Sequence, residues 1–117
     1  METLAQRNNN PVNLKYAGQR EASGKSPEGF AVFPSPAAGW RAAHSQIALD
    51  AVRNHTIRSF IFKFAPPEEN DTNEYLEFVC KELAVSPEEE LRFVSKYALA
   101  GVMAKMEGYY NVGVGGT

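Results

Sequence analysis

Three local helix-start signals constrain the fold more than any other feature of this sequence. Ser35-Pro36 places a hydroxyl before a proline, whose missing N–H does no harm in the first turn of a helix. Asp71 is followed three residues later by Glu74, which is the spacing of a capping box. Ser86-Pro87 is followed by two glutamates, and acidic side chains in a first turn interact favourably with the helix dipole. These signals predict helices that begin near residues 36, 72 and 87.

Apolar residues recur at helical spacing after each signal. The three sets are Trp40, Ala43, Ile47, Ala48, Ala51 and Val52; then Tyr75, Leu76, Val79, Cys80 and Leu83; then Val94, Ala98, Val102 and Met106. A further short helix is predicted from about Thr56 to Phe64, because Pro66-Pro67 forces the preceding residue out of the helical region. Whether residues 87–107 form one helix or two stays open, and Gly108 closes this region.

Two short runs of β-favouring residues precede the helices. They are residues 14–17 and 30–33, separated by a segment rich in Gly, Ser, Lys and Pro, which predicts a β-hairpin with a long loop. The expected fold class is α+β, a short hairpin followed by four or five packed helices. We expect a single domain over residues 1–117, with flexible termini at 1–6 and 111–117; a short strand is the alternative for the Gly-rich tail.

The composition argues against several kinds of site and location. Cys80 is the only cysteine, so no intrachain disulfide forms, and His44 and His55 add too little for a zinc site; neither a metal nor a cofactor is predicted. No window approaches the roughly 20 apolar residues of a membrane span, so we expect a soluble product made in the cytoplasm. Residues 1–63 hold eight Lys or Arg against four Asp or Glu, and residues 64–117 hold four against ten. This acidic balance disfavours nucleic-acid binding.

Three sequence blocks carry a resemblance to known proteins. They read Arg-Asn-Asn-Asn-Pro-Val-Asn-Leu-Lys-Tyr at 7–16, Gly-Phe-Ala-Val-Phe-Pro-Ser-Pro-Ala-Ala-Gly-Trp-Arg-Ala at 29–42, and Phe-Ala-Pro-Pro-Glu-Glu-Asn-Asp-Thr at 64–72. In this order they resemble a family of small phage and prophage proteins, commonly labelled virion structural proteins, which also occurs within longer tail and cell-wall-lysis proteins. The resemblance spans about residues 7–108.

The resemblance implies a place in the virion, delivery to the bacterial cell envelope, and other virion proteins as partners. It also implies peptidoglycan as a partner, through a lysozyme-like fold. The sequence departs from the family pattern at Val12, where the family usually has Gly. If the turn there requires a positive φ, a β-branched residue fits poorly, so we expect a reshaped turn.

Two glutamates are the candidate acids for peptidoglycan cleavage. Glycoside hydrolysis needs a carboxylic acid held neutral in a partly apolar site, usually with a second carboxylate. Glu107 follows Met103, Ala104 and Met106, a setting that could desolvate it, although a solvated helix end is the simpler interpretation. Glu69 lies on a rigid turn before the Asp71 start signal, where capping of the helix explains the acidic residues more simply.

Amides and aromatic rings furnish candidate binding residues for a sugar. Asn9 and Asn13 stand out because four asparagines fall within six positions, more than one turn demands. Tyr16 offers a stacking face, and Asn70 and Asp71 offer polar groups beside Glu69. Two hypotheses therefore stand: a muramidase or transglycosylase type of peptidoglycan-processing protein, and a noncatalytic virion structural or assembly protein.

Overall fold

The computed structural model describes residues 2–110, which form a small antiparallel hairpin and five α-helices. The helices are α1 Leu4–Arg7, α2 Pro36–Val52, α3 Ile57–Phe64, α4 Thr72–Leu83 and α5 Lys96–Met106; the strands are β1 Gly24–Lys25 and β2 Ala31–Val32; a 3-10 helix spans Leu91–Phe93. The predicted α+β class is confirmed. The predictions made for residues 111–117 lie outside the described residues.

The chain divides into two compact units. The first unit comprises Met1–Ser45 and Met103–Thr117, and the second comprises Gln46–Val102. Helices α2 and α5 each contribute residues to both units. That the chain is a single domain stays a prediction.

The hairpin in the first unit has its second strand where the sequence predicted it. Strand β1 pairs antiparallel with β2, with Gly24 opposite Val32 and Lys25 opposite Ala31. The predicted first strand at residues 14–17 contributes an isolated bridge, Lys15 to Phe30. Both segments bond to the region of β2: Ser26 N donates to Phe30 O at 2.7 Å, and Ala31 N donates to Leu14 O at 2.9 Å.

The predicted starts of three helices are confirmed by their caps. Ser35 Oγ accepts from Ala38 N at 3.2 Å at the start of α2. Thr56 Oγ1 accepts from Ser59 N at 3.1 Å at the start of α3. Asp71 Oδ1 accepts from Glu74 N at 3.2 Å at the start of α4. Each side chain satisfies a backbone N–H that has no partner inside the helix.

The prediction from the third start signal, at Ser86, is wrong. Ser86 Oγ does accept from Glu88 N at 3.1 Å, but only a turn follows, and the helix begins at Lys96. Tertiary hydrogen bonds compete with the local signal: Ile57 N donates to Glu89 O and Leu91 N to His55 O, both at 2.9 Å. The segment is held beside the start of α3 in an extended bridge, which a helix could not form.

The expected flexible start at residues 1–6 coincides with a capped helical turn. Thr3 Oγ1 accepts from Gln6 N at 3.2 Å, and Gln6 Oε1 accepts from Thr3 N at 3.0 Å, which completes a capping box for α1. That residues 1–6 are flexible stays a prediction. The geometry shows how a short polar segment acquires order through reciprocal side-chain bonds.

Each unit has its own set of buried apolar side chains. In the first unit they are Ala5, Val12, Leu14, Ala31, Phe33, Ala38, Ala43, Met103 and Ala104. In the second they are Ile47, Ile57, Phe60, Ile61, Ala65, Tyr75, Leu76, Val79, Leu91, Leu99, Ala100 and Val102. Phe60 stacks on Phe64 within α3 at 6.0 Å, and Phe64 meets Tyr75 of α4 edge-on at 6.2 Å between centroids. Aromatic pairs of this kind stabilise by about 1 kcal/mol beyond their buried area.

Candidate functional site

The asparagine-rich segment, residues 8–13, folds into a turn in the first unit, here called the Asn turn. Asn10 is completely buried. Its Nδ2 donates to Leu14 O and to Ala31 O, and its Oδ1 accepts from Leu14 N, all at 2.9 Å. The amide thus satisfies three backbone groups at once and links the turn to β2, as a buried polar group must when water is excluded.

Two further asparagines of the Asn turn adopt the left-handed conformation. Asn9 has φ 52° and Asn13 has φ 54°. Asparagine tolerates this region better than most residues, which explains the repeated choice of Asn. Asn9 Nδ2 also donates to Phe33 O at 3.1 Å. Asn9 was predicted to bind a sugar, and the structure engages its amide with the backbone.

Val12 and Gly39 also shape the Asn turn. Val12 is not among the positive-φ residues of the described chain and is 1% exposed, so its side chain serves as core. The positive φ considered for Val12 occurs at its neighbour Asn13 instead. Gly39 of α2 lies so close to the turn that a Cβ there would stand 1.9 Å from Asn9 O. Only glycine permits this approach of two backbone segments.

The candidate acid Glu107 lies half-buried at the end of α5 in contact with the Asn turn. Its Oε1 accepts from Asn13 Nδ2 at 2.9 Å, across 94 positions of sequence. Asn13 Oδ1 is buried and has no hydrogen-bond partner among the described residues. The structure therefore brings together two residues, Asn13 and Glu107, that the sequence proposed for different roles.

The residues after Glu107 are held by the N-terminal segment of the same unit. Thr3 Oγ1 donates to Gly108 O at 3.2 Å, and Gln6 Nε2 donates to Tyr109 O at 2.9 Å. Trp40 meets Tyr109 edge-on at 5.6 Å and lies 6.3 Å from Tyr110 between centroids. Trp40 thus serves as a packing partner for residues 109–110.

Tyr16 is the most open of the predicted binding residues in the first unit. Its side chain is 43% exposed, and its backbone N donates to Gly29 O at 2.9 Å. Part of Tyr16 is therefore open to solvent.

The remaining predicted residues lie in the second unit, on the turn before α4. Glu69 is exposed, and its backbone N donates to Pro66 O at 3.0 Å. Asn70 Nδ2 donates to the same carbonyl at 3.3 Å, and Asp71 caps the helix. Asn70 and Asp71 therefore have structural partners on their own turn.

One buried polar cluster in the second unit was missed by the sequence analysis. The Asp50 side chain is 1% exposed; its Oδ1 lies 2.6 Å from Lys63 Nζ, and its Oδ2 accepts from Gln46 Nε2 at 3.0 Å. Burial acts to raise the pKa of Asp50, but the bonds from Lys63 and Gln46 and the nearby His55 outweigh it, so the pKa is lowered. The sequence contains a signal for the burial of Asp50, because this residue lies at helical spacing from the apolar residues Ala43 and Ile47.

His55 lies between Asp50 and Ser59 in an arrangement that superficially resembles a hydrolase triad. Its Nε2 is 3.7 Å from Asp50 Oδ1, and its Nδ1 is 2.8 Å from Ser59 Oγ. A nucleophilic serine also needs free N–H donors for an oxyanion. The first N–H groups of α3 are already used by Glu89 O, Pro87 O and Thr56 Oγ1. These bonds hold the corner between α2 and α3 and leave the first N–H groups of α3 already paired.

Cys80 has the environment of a structural thiol. Burial raises its pKa; Arg58 lowers it and Glu88 raises it, with the net effect upward. A raised pKa leaves little thiolate, which is the reactive form. Within residues 2–110, no group of three His, Cys, Asp or Glu side chains is placed to hold a metal ion. No helix in this part of the chain has the length and apolar character needed to cross a membrane.

Comparison with known proteins gives a relative from a bacteriophage. The chain is 30% identical over 109 residues to Protein P5 of Pseudoalteromonas phage PM2, a match covering 86% of this chain and 68% of the relative. The chain belongs to the family of protein P5. No family model matches the sequence. The predicted kinship with phage proteins is confirmed, while the three-block pattern and the lysozyme-like fold stay predictions.

Proposed function

We propose that this member of the P5 family is a noncatalytic structural or assembly protein of a phage virion. Its phage relative supports the setting. The observation that supports the noncatalytic role is the hydrogen bonding of the amide side chains in the Asn turn. The side-chain N–H groups of Asn9, Asn10 and Asn13 that could furnish a sugar site there donate to Leu14, Ala31, Phe33 and Glu107, and the unbonded Oδ1 of Asn13 is buried. A group already bonded within a fold has little left for a ligand unless the fold opens.

Purified particles test the virion part of this proposal. Phage produced from the host would be separated on a density gradient and their proteins identified by mass spectrometry. The chain should co-sediment with intact particles, and a stop codon early in its gene should reduce infectious particles while cell lysis still occurs. Presence in the lysate with absence from washed particles would contradict the proposal.

Peptidoglycan cleavage remains the competing candidate, with Glu107 as its preferred acid. The contact that favours it is the Asn13 bond, which orients a half-buried carboxyl. In this alternative Asn9, Tyr16, Asn70 and Asp71 would bind the glycan, Glu69 would be the second candidate acid, and the virion would carry the protein to the cell envelope. Glycosidases pair such an acid with a second carboxylate.

A zymogram on purified peptidoglycan separates the two candidates. The unmodified protein should give no clearing if its role is structural. If clearing is seen, Glu107→Gln should abolish it while leaving the Asn13 contact possible, because Gln keeps an acceptor oxygen. Glu69→Gln is the matched variant on the exposed turn. Clearing that survives both changes would remove both residues as acids.

A further inference from the structure

We propose that the capping box of α1 also acts as a clamp, which holds residues 108–110 against Trp40 as a strap, and that this strap opens while the rest of the first unit stays folded. All of these residues belong to the first unit. The inference goes beyond the proposed virion role and does not depend on it. The strap is defined as Gly108, Tyr109 and Tyr110, and the clamp as Thr3 and Gln6.

Each side chain of the clamp makes one bond within α1 and another to the strap. Thr3 Oγ1 accepts from Gln6 N and donates to Gly108 O, both at 3.2 Å. Gln6 Oε1 accepts from Thr3 N at 3.0 Å, while its Nε2 donates to Tyr109 O at 2.9 Å. The reciprocal capping bonds fix both side chains and direct their remaining donors at the two carbonyls. The clamp is therefore set by the same bonds that cap α1.

The strap begins where α5 ends. Gly108 has φ 79°, and its N donates to Lys105 O at 3.2 Å. Tyr109 N donates to Ala104 O at 3.0 Å. Together these bonds form a Schellman motif, in which a glycine in the left-handed conformation ends the helix. Two N–H groups of the strap thus bond to α5, and two of its carbonyls bond to the clamp.

The strap packs two aromatic rings against Trp40. The Tyr109 ring meets Trp40 edge-on at 5.6 Å, and the Tyr110 ring lies 6.3 Å from it between centroids. The two tyrosine rings are 5.4 Å apart. Trp40 also stacks on His44 of α2 at 6.0 Å. Opening of the strap would therefore uncover Trp40, the only tryptophan of the chain.

Few contacts oppose this opening. Tyr110 is 53% exposed, and Tyr109 is half-buried. The two clamp bonds join uncharged groups in part-buried positions. One bond of this kind favours the closed state by only about fivefold. Segments with few buried contacts open locally at a lower free energy than the core around them, and the strap meets that description.

Amide hydrogen exchange of the full chain, followed by NMR, tests the proposal. In the unmodified protein, the protection factor of the Tyr109 amide should be at least about tenfold lower than that of Ala31, which is completely buried in the same unit. Gln6→Glu keeps the acceptor of the capping box but removes the donor to Tyr109 O. In this variant the Tyr109 protection factor should fall by a further fivefold or more, roughly the worth of one bond, and that of Ala31 should not change.

A second variant and two controls separate the clamp from the cap. Thr3→Asp keeps a good capping acceptor but has no donor for Gly108 O, so the same local loss of protection is expected. Thr3→Ser keeps both the acceptor and the donor and should behave as the unmodified protein. Gln19→Glu is the matched control: it makes the same change of charge in the same unit, but Gln19 Nε2 donates to Lys15 O. Acrylamide should quench Trp40 fluorescence more strongly in the two clamp variants than in either control.

Three results would overturn the inference. Equal protection of the Tyr109 and Ala31 amides in the unmodified protein would mean that the strap opens only when the whole unit unfolds. An equal loss of protection at both amides in the two clamp variants would indicate lost overall stability instead of a released strap. Unchanged Tyr109 protection in both clamp variants would mean that the clamp does not hold the strap. These measurements use the purified protein and no particles, so their failure leaves the proposed virion role standing.

Discussion

At the scale of single residues, the asparagines at positions 8–13 differ sharply in what they do. Asn9 and Asn13 supply left-handed backbone, whereas Asn10 supplies three hydrogen bonds from a completely buried amide. The sequence singled out the first two for a ligand and passed over the third. Composition records how many asparagines are present, but burial decides which amide is structural.

Replacing Asn10 by Ala should destabilise the protein by about 3 kcal/mol. The change leaves the N–H and C=O of Leu14 and the C=O of Ala31 without this partner in a buried setting. Urea unfolding followed by circular dichroism measures the free energy of unfolding. Asn73→Ala on the exposed face of α4 is the control and should cost nothing, since Ala favours helix. Equal stability of the two variants would contradict the assigned role of Asn10.

Gly39→Ala should destabilise by about 1–3 kcal/mol, because the new Cβ would overlap backbone that has no alternative rotamer. The closest atom is Asn9 O at 1.9 Å. Gly101→Ala is the matched helical control, since nothing lies within 4 Å of its Cβ position. Thermal unfolding of both variants tests this prediction. The melting temperature of Gly101→Ala should be no lower than that of the unmodified protein. If Gly39→Ala also melts no lower, the close approach of the two backbone segments is disproved.

At the scale of elements, local capping placed three of the helices and tertiary bonding displaced one. The caps Ser35, Thr56 and Asp71 act within three residues, so the sequence contains everything they need. The segment after Ser86 carries a similar signal but bonds to residues 55–58 instead. Helix starts are thus predictable wherever no other segment competes for the same backbone groups.

The cap at Asp71 predicts that two substitutions of this residue differ in their effect on stability. Asp71→Ala should cost about 1 kcal/mol, whereas Asp71→Asn should keep most of the stability, because Asn is an equally good cap. Chemical unfolding of the two variants tests this order. A ligand-binding role would respond differently, since loss of the negative charge in Asp71→Asn would weaken binding without loss of the cap. Equal destabilisation by both substitutions would count against the capping role.

At the scale of the whole molecule, the buried Asp50 cluster connects stability to pH. A carboxyl whose pKa is lowered on folding stabilises the folded state above its unfolded pKa, here 3.8, and loses this contribution as pH falls through the lower folded value. The contribution is therefore complete near neutral pH and disappears in acid. Lys63 and Gln46 are the partners responsible.

Asp50→Asn should be less stable than the unmodified protein by about 1–3 kcal/mol at pH 7, because the ion pair with Lys63 is lost. The difference should begin to shrink as pH falls below 3.8, where the unfolded chain takes up a proton, and should disappear once pH passes the lower pKa of the folded carboxyl. Urea unfolding of both proteins across this range measures the difference directly. A difference that stays constant with pH would mean that ionisation of Asp50 does not contribute.

The sequence by itself determined the α+β class, the starts of α2, α3 and α4, and the kinship with phage proteins. These features depend on residues close in sequence or on similarity along it. Tertiary structure decided which polar residues meet: Asn10 with Ala31, Asn13 with Glu107, and Asp50 with Lys63. Such pairs form only when separate segments pack, and packing reflects the summed burial of many side chains rather than any local signal. The sequence therefore provided a list of candidate site residues, but it could not predict which of them lie in contact.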